Sequence, residues 1–358
     1  MAIYKTALFI ILNSIVICQT LSNKGIFLMS GLTSNDIPDN WSAYESSIRY
    51  IPTLSLKKEL SADKLVDAEW AYHLERYYTG DSLFNYNENN HRLWIRYSSA
   101  KIEARIGIQK IVFGPTQILR PLSWFDTFDL KDPTGQTNGV ESFRLSWFPS
   151  NNISIWSWIV NNDIDTLSFG GRAEVASVLG EVGFTYHRDP SKSMQLIGQM
   201  GTPVFDSQNR IAFDYRFDGF IGFWNESVFI KSDKSNIKLL TIGADYTLPV
   251  FNGILFMTEL MYIHNKYNNI QSNQKFSAFM ASFPIGMIHQ AMYVLQTDWE
   301  ENKNYNYLRW SSTYDAYSLN MIVSINPKRE EYDMPVNLLP KSLSGFGKGI
   351  QFMIIYNH

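Results

Sequence analysis

Residues 210–217 read Arg-Ile-Ala-Phe-Asp-Tyr-Arg-Phe, and the alternation in this stretch decides the fold class. Every second side chain is apolar: Ile211, Phe213, Tyr215 and Phe217. The side chains between them include three charged ones: Arg210, Asp214 and Arg216. Successive side chains of a β-strand point to opposite faces, so this spacing predicts a strand with one apolar and one polar face.

The same period of two recurs along most of the chain. It is clear in residues 65–75, 91–98, 101–109, 180–187 and 349–358. Clusters of Pro, Asn, Asp and Ser separate such stretches, as at residues 149–152 and 232–236, and these clusters are typical of turns. Counting the segments predicts roughly 16 to 18 strands, and bacterial outer-membrane barrels use even numbers.

Two architectures use many strands with a single apolar face. A soluble sandwich, propeller or solenoid packs the apolar faces into a core, whereas a membrane barrel turns them to lipid. Three observations favour the barrel: charges recur on the polar faces, aromatic residues cluster near strand ends, and residues 349–358 end the chain on an amphipathic strand. We therefore expect an all-β fold, a transmembrane up-and-down antiparallel β-barrel of roughly 16–18 strands with one long inward-folded loop.

Composition and charge exclude other classes of protein. The chain has 358 residues, of which 45% are hydrophobic and 15% aromatic, so a disordered chain is excluded. Lys and Arg total 31 against 34 Asp and Glu, and without a basic excess we expect no nucleic-acid partner. Beyond the N-terminus, no apolar run approaches the ~20 residues that a membrane-spanning helix needs.

The first 18 residues predict export from the cytoplasm. Lys5 precedes an apolar stretch over residues 7–17, which is the pattern of a secretory signal peptide. Cleavage is expected near Cys18, with lipidation of Cys18 as the alternative. This residue is the only cysteine, so we expect neither disulfides nor cysteine-ligated metal in the mature chain. The expected division is a signal peptide at 1–18, an N-terminal segment at 19–45 and an outer-membrane β-barrel at 46–358.

Residues 102–161 resemble a known family of membrane proteins. The positions that carry the likeness are Gly107, Gln109, Gly114, Trp124 and Gly139, followed by Arg144-Leu145. This strand–loop–strand pattern is similar to that of the alginate-export and related putative porins of Gram-negative bacteria. Ile108 and Asn138 stand where the family pattern has Arg and Asp. The resemblance implies a passive or export pore in the outer membrane and leaves the solute open.

The connection over residues 114–139 is far longer than a hairpin needs. It is rich in Leu, Trp, Phe and Pro, an unusual composition for a loop exposed to water. Folding inward would pack its aromatic residues on the wall while Asp126, Asp129 and Asp132 face the lumen. We predict that it forms a constriction, which filters solutes by charge and width. The alternatives are a surface loop with a short helix from Pro121 and a calcium loop formed by the three Asp residues.

We expect these carboxylates to oppose arginines on the polar faces of the neighbouring strands, namely Arg92, Arg96, Arg105 and Arg144. Charges that face each other across a hydrated passage would act on permeating ions. The full set of expected pore-lining residues is Arg92, Arg96, Glu103, Arg105, Gln109, Arg120, Trp124, Asp126, Asp129, Asp132, Arg144, Arg210, Asp214 and Arg216.

Residues suited to catalysis or metal binding are sparse. The histidines form neither His-x-x-x-His nor His-Glu-x-x-His, so we expect no metal, no cofactor and no enzyme activity. We expect a porin-like channel for diffusion or export of small polar or anionic solutes, with sugars and organic acids as candidates. Its partners would be outer-membrane lipid and these solutes, and a homo-oligomer stays open. The alternatives are a plugged outer-membrane barrel acting as an adhesin or assembly partner, and a secreted all-β carbohydrate-active protein.

Overall fold

The computed structural model describes residues 20–39, 41–126, 128–162, 166–191, 195–197, 202–204, 206–268, 270–329 and 343–358. The regular structure of these residues is entirely β. Within the described ranges, no helix is long and apolar enough to cross a membrane. The expected signal peptide at 1–18 lies outside the described residues.

Twenty strands follow one another along the described chain. They are β1 Thr20–Ser34, β2 Tyr44–Ser61, β3 Lys64–Thr79, β4 Ser82–Ser98, β5 Ile102–Gln109, β6 Val140–Ser150, β7 Ile153–Asn161, β8 Leu167–Ser177, β9 Gly180–Asp189, β10 Gln195–Ile197, β11 Thr202–Val204, β12 Gln208–Asp218, β13 Gly222–Ser232, β14 Ser235–Leu248, β15 Ile254–Tyr267, β16 Ile270–Ile285, β17 His289–Asp298, β18 Lys303–Thr313, β19 Tyr317–Ile325 and β20 Lys348–Asn357. The short strands β10 and β11 pair only with each other.

The other strands form a single closed sheet of 18 strands. Each pairs antiparallel with its neighbour in sequence, and β9 pairs with β12 across the segment that holds the small hairpin. The ring closes where β1 pairs with β20, from Ile26 opposite Asn357 to Ser34 opposite Gly349. Closure leaves no unpaired sheet edge. This confirms the predicted all-β, up-and-down antiparallel barrel, at the upper end of the predicted strand number.

The barrel starts earlier in the chain than the sequence predicted. Residues 19–45 were expected to precede the barrel, but β1 lies within them and pairs with β2 and β20. The prediction missed this strand because Ile26-Phe27-Leu28-Met29 is a continuous apolar run without alternation. Leu28 is buried on the inward face and Met29 is exposed on the outward face, so both faces are apolar here.

The long connections all join strand ends at the same end of the barrel, which we call the loop end. They are residues 110–139 between β5 and β6, 190–207 between β9 and β12, and 326–347 between β19 and β20. At the opposite end, the turn end, the longest connection is 249–253. The backbones of Gly25 and His358 exchange two hydrogen bonds at the turn end, of 2.9 and 3.1 Å. Short turns at one end and long loops at the other are typical of outer-membrane barrels.

The outward face of the barrel is apolar. On β12, Ile211 and Phe213 are 41% and 45% exposed, whereas the inward Ala212 and Asp214 are buried. The same arrangement holds on β7, β15 and β20, where Ile159, Leu260 and Phe352 are exposed. Exposed apolar side chains around a closed ring are the arrangement of barrels that lie in lipid.

The inward face is divided into two walls of different character. From β2 to β7 it carries charged and polar side chains, and we call this part the charged wall; examples are Arg49, Glu75 and Arg105. From β13 to β17 it carries mainly buried apolar side chains, and we call this part the apolar wall; examples are Ile230, Ile237, Leu239, Met261 and Ile263. An apolar surface of this size inside a hydrated barrel would be unfavourable unless another segment covered it.

Candidate functional site

The connection between β5 and β6, residues 110–139, covers the apolar wall; we call it the β5–β6 loop. Its first half contributes five buried apolar side chains: Ile111, Phe113, Ile118, Leu119 and Leu122. These side chains belong to one continuous apolar cluster with Ile230, Ile237 and Met261 of the wall. Burial of apolar surface thus holds this half of the loop against β13, β14 and β15.

Glu226 on β13 fixes the loop at two points. Its Oε1 accepts a hydrogen bond from the backbone N–H of Thr116 at 2.9 Å, and its Oε2 accepts one from Leu122 at 3.1 Å. The carboxylate lies so close to Gly114 that a Cβ there would stand 2.2 Å from Oε1. Gly114 also has a φ of +93°, so only glycine fits this position without strain.

Glu259 on β15 holds the three residues between those points. Its carboxylate accepts hydrogen bonds from the backbone N–H groups of Gln117, Ile118 and Leu119, at 2.7, 3.0 and 2.6 Å. The indole of Trp224 donates a fourth, at 3.1 Å. Buried backbone N–H groups of an irregular segment need partners, and the two carboxylates supply them where no sheet or helix does.

An aromatic cluster joins the loop to β7 and β9. Phe113 stacks on Trp158, with ring centroids 5.5 Å apart, and Phe125 meets His187 edge-on at 5.1 Å. Trp124 lies 5.7 Å from Phe113 at nearly a right angle. Trp158 also donates a hydrogen bond from Nε1 to Nδ1 of His187, at 3.2 Å. These contacts hold the middle of the loop on the side of the barrel where the charged wall ends.

The second half of the loop is bound to β2, β4 and β18. Asp132 forms an ion pair with Arg49, with 2.5 Å between Oδ2 and Nη1. Arg309 on β18 donates to the carbonyl of Leu130 at 2.9 Å, and Arg92 on β4 donates to the carbonyl of Thr137 at 2.8 Å. In the ring of strands, β2 lies opposite β13 and β4 lies opposite β15. One segment is therefore hydrogen-bonded to opposite sides of the barrel.

Three arginines of the charged wall stand side by side at one height. In the sheet register, Arg96 on β4 faces Arg105 on β5, which faces Arg144 on β6. Glu103 accepts hydrogen bonds from all three, at 3.2, 3.4 and 2.7 Å, and Asp67 makes a two-bond pair with Arg96. We call Arg96, Arg105 and Arg144 the arginine row.

Aromatic rings hold the row in place. The guanidinium of Arg105 lies 4.5 Å from the centre of the Trp94 ring, and that of Arg144 lies 5.4 Å from the Trp156 ring. Stacking of a planar guanidinium on an indole fixes its orientation and adds a cation–π attraction. The row is therefore an ordered set of donors on the wall.

Two cavities flank the β5–β6 loop. The first, of about 420 Å³, lies towards β1–β4 and is lined by Arg49, His73, Glu75, His91 and Asp132. The second, of about 440 Å³, lies towards β6–β12 and is lined by Phe113, Trp156, Arg172, Glu174 and Asp214. Both sizes are within the range of small-molecule sites. The arginine row lies on β4, β5 and β6; His91, which lines the first cavity, is also on β4, and Trp156, which lines the second, is on β7.

The loop carboxylates do not oppose the arginine row, contrary to the sequence-based expectation. Asp126 pairs with Arg120 of the same loop at 2.5 Å, and Asp132 pairs with Arg49. Asp129 accepts a hydrogen bond from the backbone N–H of Lys131 at 2.8 Å. Each carboxylate has a partner within the loop or on β2, because the apolar half of the loop places this part near β2 and β18.

The other expected pore-lining residues have varied surroundings. Gln109 is fully buried and donates to the carbonyl of Ser142 at 3.1 Å, so it ties β5 to β6. Asp214 forms a buried two-bond pair with Arg172, at 2.6 and 2.8 Å. Arg210 is buried with its guanidinium 5.5 Å from the Trp124 ring, and Arg216 pairs with Asp218 near the turn end. The structure brings together Arg96, Glu103, Arg105 and Arg144, and Arg92 lies four residues nearer the loop end on β4.

Sequence reasoning missed the two carboxylates that hold the loop. Glu226 and Glu259 each stand between apolar side chains on the inward face of their strand, next to Val228 and Met261. A lone carboxylate at such a position needs a polar partner from elsewhere in the chain. That signal was present in the sequence, but it did not identify the loop as the partner.

Neither a protein-family profile nor a curated protein sequence matches the chain. Solved structures do match it. A variant of Rh. blastica porin with three substitutions has a TM-score of 0.52, covering 95% of this chain and 100% of the porin, at 9% sequence identity. A triple mutant of Rhodopseudomonas blastica porin has a TM-score of 0.51 with the same coverage and identity. The likeness establishes that this chain has the fold of a porin barrel.

Proposed function

We propose that this protein is an outer-membrane channel in which the β5–β6 loop narrows the lumen. It would pass small polar or anionic solutes by diffusion or export, and it would be a channel rather than an enzyme. The closed barrel, its apolar outward face and the placement of long loops at one end support a position in the outer membrane. The signal-like residues 1–18 support export to that membrane.

One observation carries the proposal more than any other. The β5–β6 loop is hydrogen-bonded to Glu226 on β13 and ion-paired with Arg49 on β2, strands on opposite sides of the ring. A segment held in this way crosses the interior of the barrel, and the two cavities beside it supply the space for the proposed passage. Because the apolar half of the loop covers the apolar wall, the proposed passage runs along the charged wall and along β8, β9 and β12, which line the second cavity.

The solutes follow from the lining of this passage. The two cavities and the arginine row, which adjoins Trp156 of the second cavity, provide charged and hydrogen-bonding groups that replace part of a polar solute's hydration. The arginine row favours anions, so organic acids and sugars with acidic groups are the first solutes to test. Outer-membrane lipid would contact the outward face.

The test is conductance of the refolded protein in planar bilayers. A channel gives discrete, reproducible current steps and a reversal potential in a salt gradient that favours anions. Liposome swelling with neutral sugars of increasing size then gives the width of the passage. Refolding is checked independently by heat-dependent gel mobility, so absence of current from a folded barrel would contradict the channel.

A second candidate is a plugged barrel that acts as an adhesin or assembly partner. The observation in its favour is the continuous apolar cluster formed by the loop and the apolar wall, which fills part of the interior. The same conductance measurement separates the two functions. A folded barrel without current, and without swelling for the smallest sugar, would support the plugged barrel.

A further inference from the structure

The arginine row places three like charges directly opposite one another. Arg96, Arg105 and Arg144 are register partners on adjacent strands, and adjacent strands lie about 4.8 Å apart. Like charges in this arrangement repel and destabilise a sheet. Only two carboxylates, Asp67 and Glu103, are bonded to the row in the described part of the chain, so one positive charge is not balanced.

The unbalanced charge is concentrated on Arg105 and Arg144. Asp67 is occupied by Arg96, with two bonds of 2.8 and 2.6 Å. Glu103 is shared by all three arginines, and its bond to Arg105 is long, at 3.4 Å. Among the described residues, neither the Nε of Arg105 nor that of Arg144 has a hydrogen-bond partner. Unpaired donors cost free energy in a folded protein, so the row is kept at the expense of stability.

Both guanidinium groups are held against aromatic rings and, apart from their buried Nε atoms, keep part of their surface exposed. Trp94 stacks on Arg105 and Trp156 lies beside Arg144, so the two planes are held by the wall. Their side chains keep 16% and 14% of their surface exposed. Preorganised donors lose little entropy when they bind a ligand.

We propose that Arg105 and Arg144 form a saturable binding site for a small oxyanion, namely the carboxylate or phosphate group of a solute in transit. Planar guanidinium groups match the two oxygens of such a group in a way that a spherical halide cannot. One monoanion would also neutralise the unbalanced charge of the row. The site rests on the proposed function, since it lies on the wall of the proposed passage, and it makes the channel selective among anions.

The test is equilibrium binding to the refolded, detergent-solubilised barrel, which does not depend on conductance. Titrations of acetate and of inorganic phosphate are followed by ligand-observed NMR in low-chloride buffer. We expect saturation at one site per chain, with chloride as a weak competitor. Arg105→Gln and Arg144→Gln should each weaken binding about tenfold, the effect of losing a charged hydrogen-bond pair. Tighter binding of acetate or of phosphate identifies which oxyanion the site prefers.

Two further variants distinguish a specific binding site from a general positive potential in the lumen. Arg188 is exposed on the outward face of β9, so Arg188→Gln removes the same charge and should leave binding unchanged. Arg105→Lys keeps the charge but loses the planar fork, and it should weaken binding nearly as much as Arg105→Gln. Wild-type affinity in Arg105→Lys would contradict the proposed site. A loss of affinity in Arg188→Gln equal to that in Arg105→Gln would also contradict it. If Arg105→Gln fails to refold, Arg144→Gln gives the same test.

The outcomes also distinguish the site from the channel. Saturable binding in a folded barrel that gives no current would refute the channel and support the site. Current with anion preference but no saturation by acetate or phosphate would support the channel and refute the site.

Discussion

The indole of Trp224 on β13 donates a hydrogen bond to Glu259 on β15, with 3.1 Å between Nε1 and Oε1. The two residues are separated by β14, where Gly243 faces both in the sheet register. The absence of a side chain at Gly243 lets the indole lie across the strand. Trp224 thereby orients the carboxylate that accepts three backbone N–H groups of the β5–β6 loop.

Replacing Gly243 with alanine should loosen the loop. A Cβ at this position would stand 2.2 Å from Nε1 of Trp224, so the indole must move and its bond to Glu259 is lost. We expect faster tryptic cleavage at Lys131 and noisier single-channel current. Gly31→Ala is the matched control, because its Cβ would meet only Tyr44 at an ordinary 3.5 Å. Equal cleavage rates in the two variants would contradict this role of Trp224.

Glu259→Leu should destabilise the barrel itself. It removes the acceptor of three backbone N–H groups, of which those of Ile118 and Leu119 are buried, and each buried group left unpaired costs about 1–3 kcal/mol. We expect a lower urea midpoint with the slope unchanged, measured by the loss of heat-dependent gel mobility. Glu300→Gln, in an exposed turn at the loop end, should leave the midpoint as in the wild type. A wild-type midpoint for Glu259→Leu would show that the loop does not depend on this carboxylate.

The fold could be predicted because alternation directly encodes the two faces of a strand. On β12, the sequence placed Ile211 and Phe213 on one face and Arg210 and Asp214 on the other, and burial in the structure follows this assignment. Strand β1 could not be predicted in this way, because its run over residues 26–29 is apolar on both faces. Periodicity identifies a strand only where one of its faces meets an apolar environment and the other a polar one.

The site was predicted less well because it depends on contacts between distant parts of the chain. The arginines of the charged wall could be found, since they alternate on adjacent strands. The partners of Asp126 and Asp132 could not, because they follow from where the apolar half of the loop docks. That docking depends on Ile230 and Ile237, whose inward position shows only when the barrel is closed.

Phe213→Arg should impair assembly of the barrel. Phe213 is 45% exposed on the outward face of β12, and Arg near the bilayer midplane costs about 2–4 kcal/mol. The measurement is the fraction of protein with heat-dependent gel mobility after refolding into lipid vesicles. Phe213→Leu is the control and should refold normally. Asp214 is not a suitable neutral control, because its substitution breaks the buried pair with Arg172. Normal refolding of Phe213→Arg would contradict a lipid-facing β12.

Ion selectivity should change at alkaline pH through Lys131. Burial lowers the pKa of the Lys131 ammonium, an effect that Asp129 partly offsets, so the neutral form appears below the pH at which an exposed lysine titrates, about 10.4. As the pH rises, the passage loses a positive charge and its preference for anions should fall. Reversal potentials in a salt gradient measure the change. In Lys131→Gln the preference should already be lower, and this part of the pH dependence should be absent; an unchanged profile would argue against a lumenal Lys131.

Replacing residues 123–133 with a short glycine–serine linker should widen the passage without preventing assembly. The replacement keeps Ile118, Leu119 and Leu122 on the apolar wall, together with their bonds to Glu226 and Glu259, so the wall stays covered. It removes the pair between Asp132 and Arg49, which leaves Glu75 as the remaining partner of Arg49 and should increase anion preference. We expect larger conductance steps, passage of larger sugars in liposome swelling, and heat-dependent gel mobility as in the wild type. Asp132→Asn alone should raise anion preference with little change in conductance, because it removes the charge and leaves the loop in place. If the linker variant folds and its conductance equals that of the wild type, the loop does not narrow the passage.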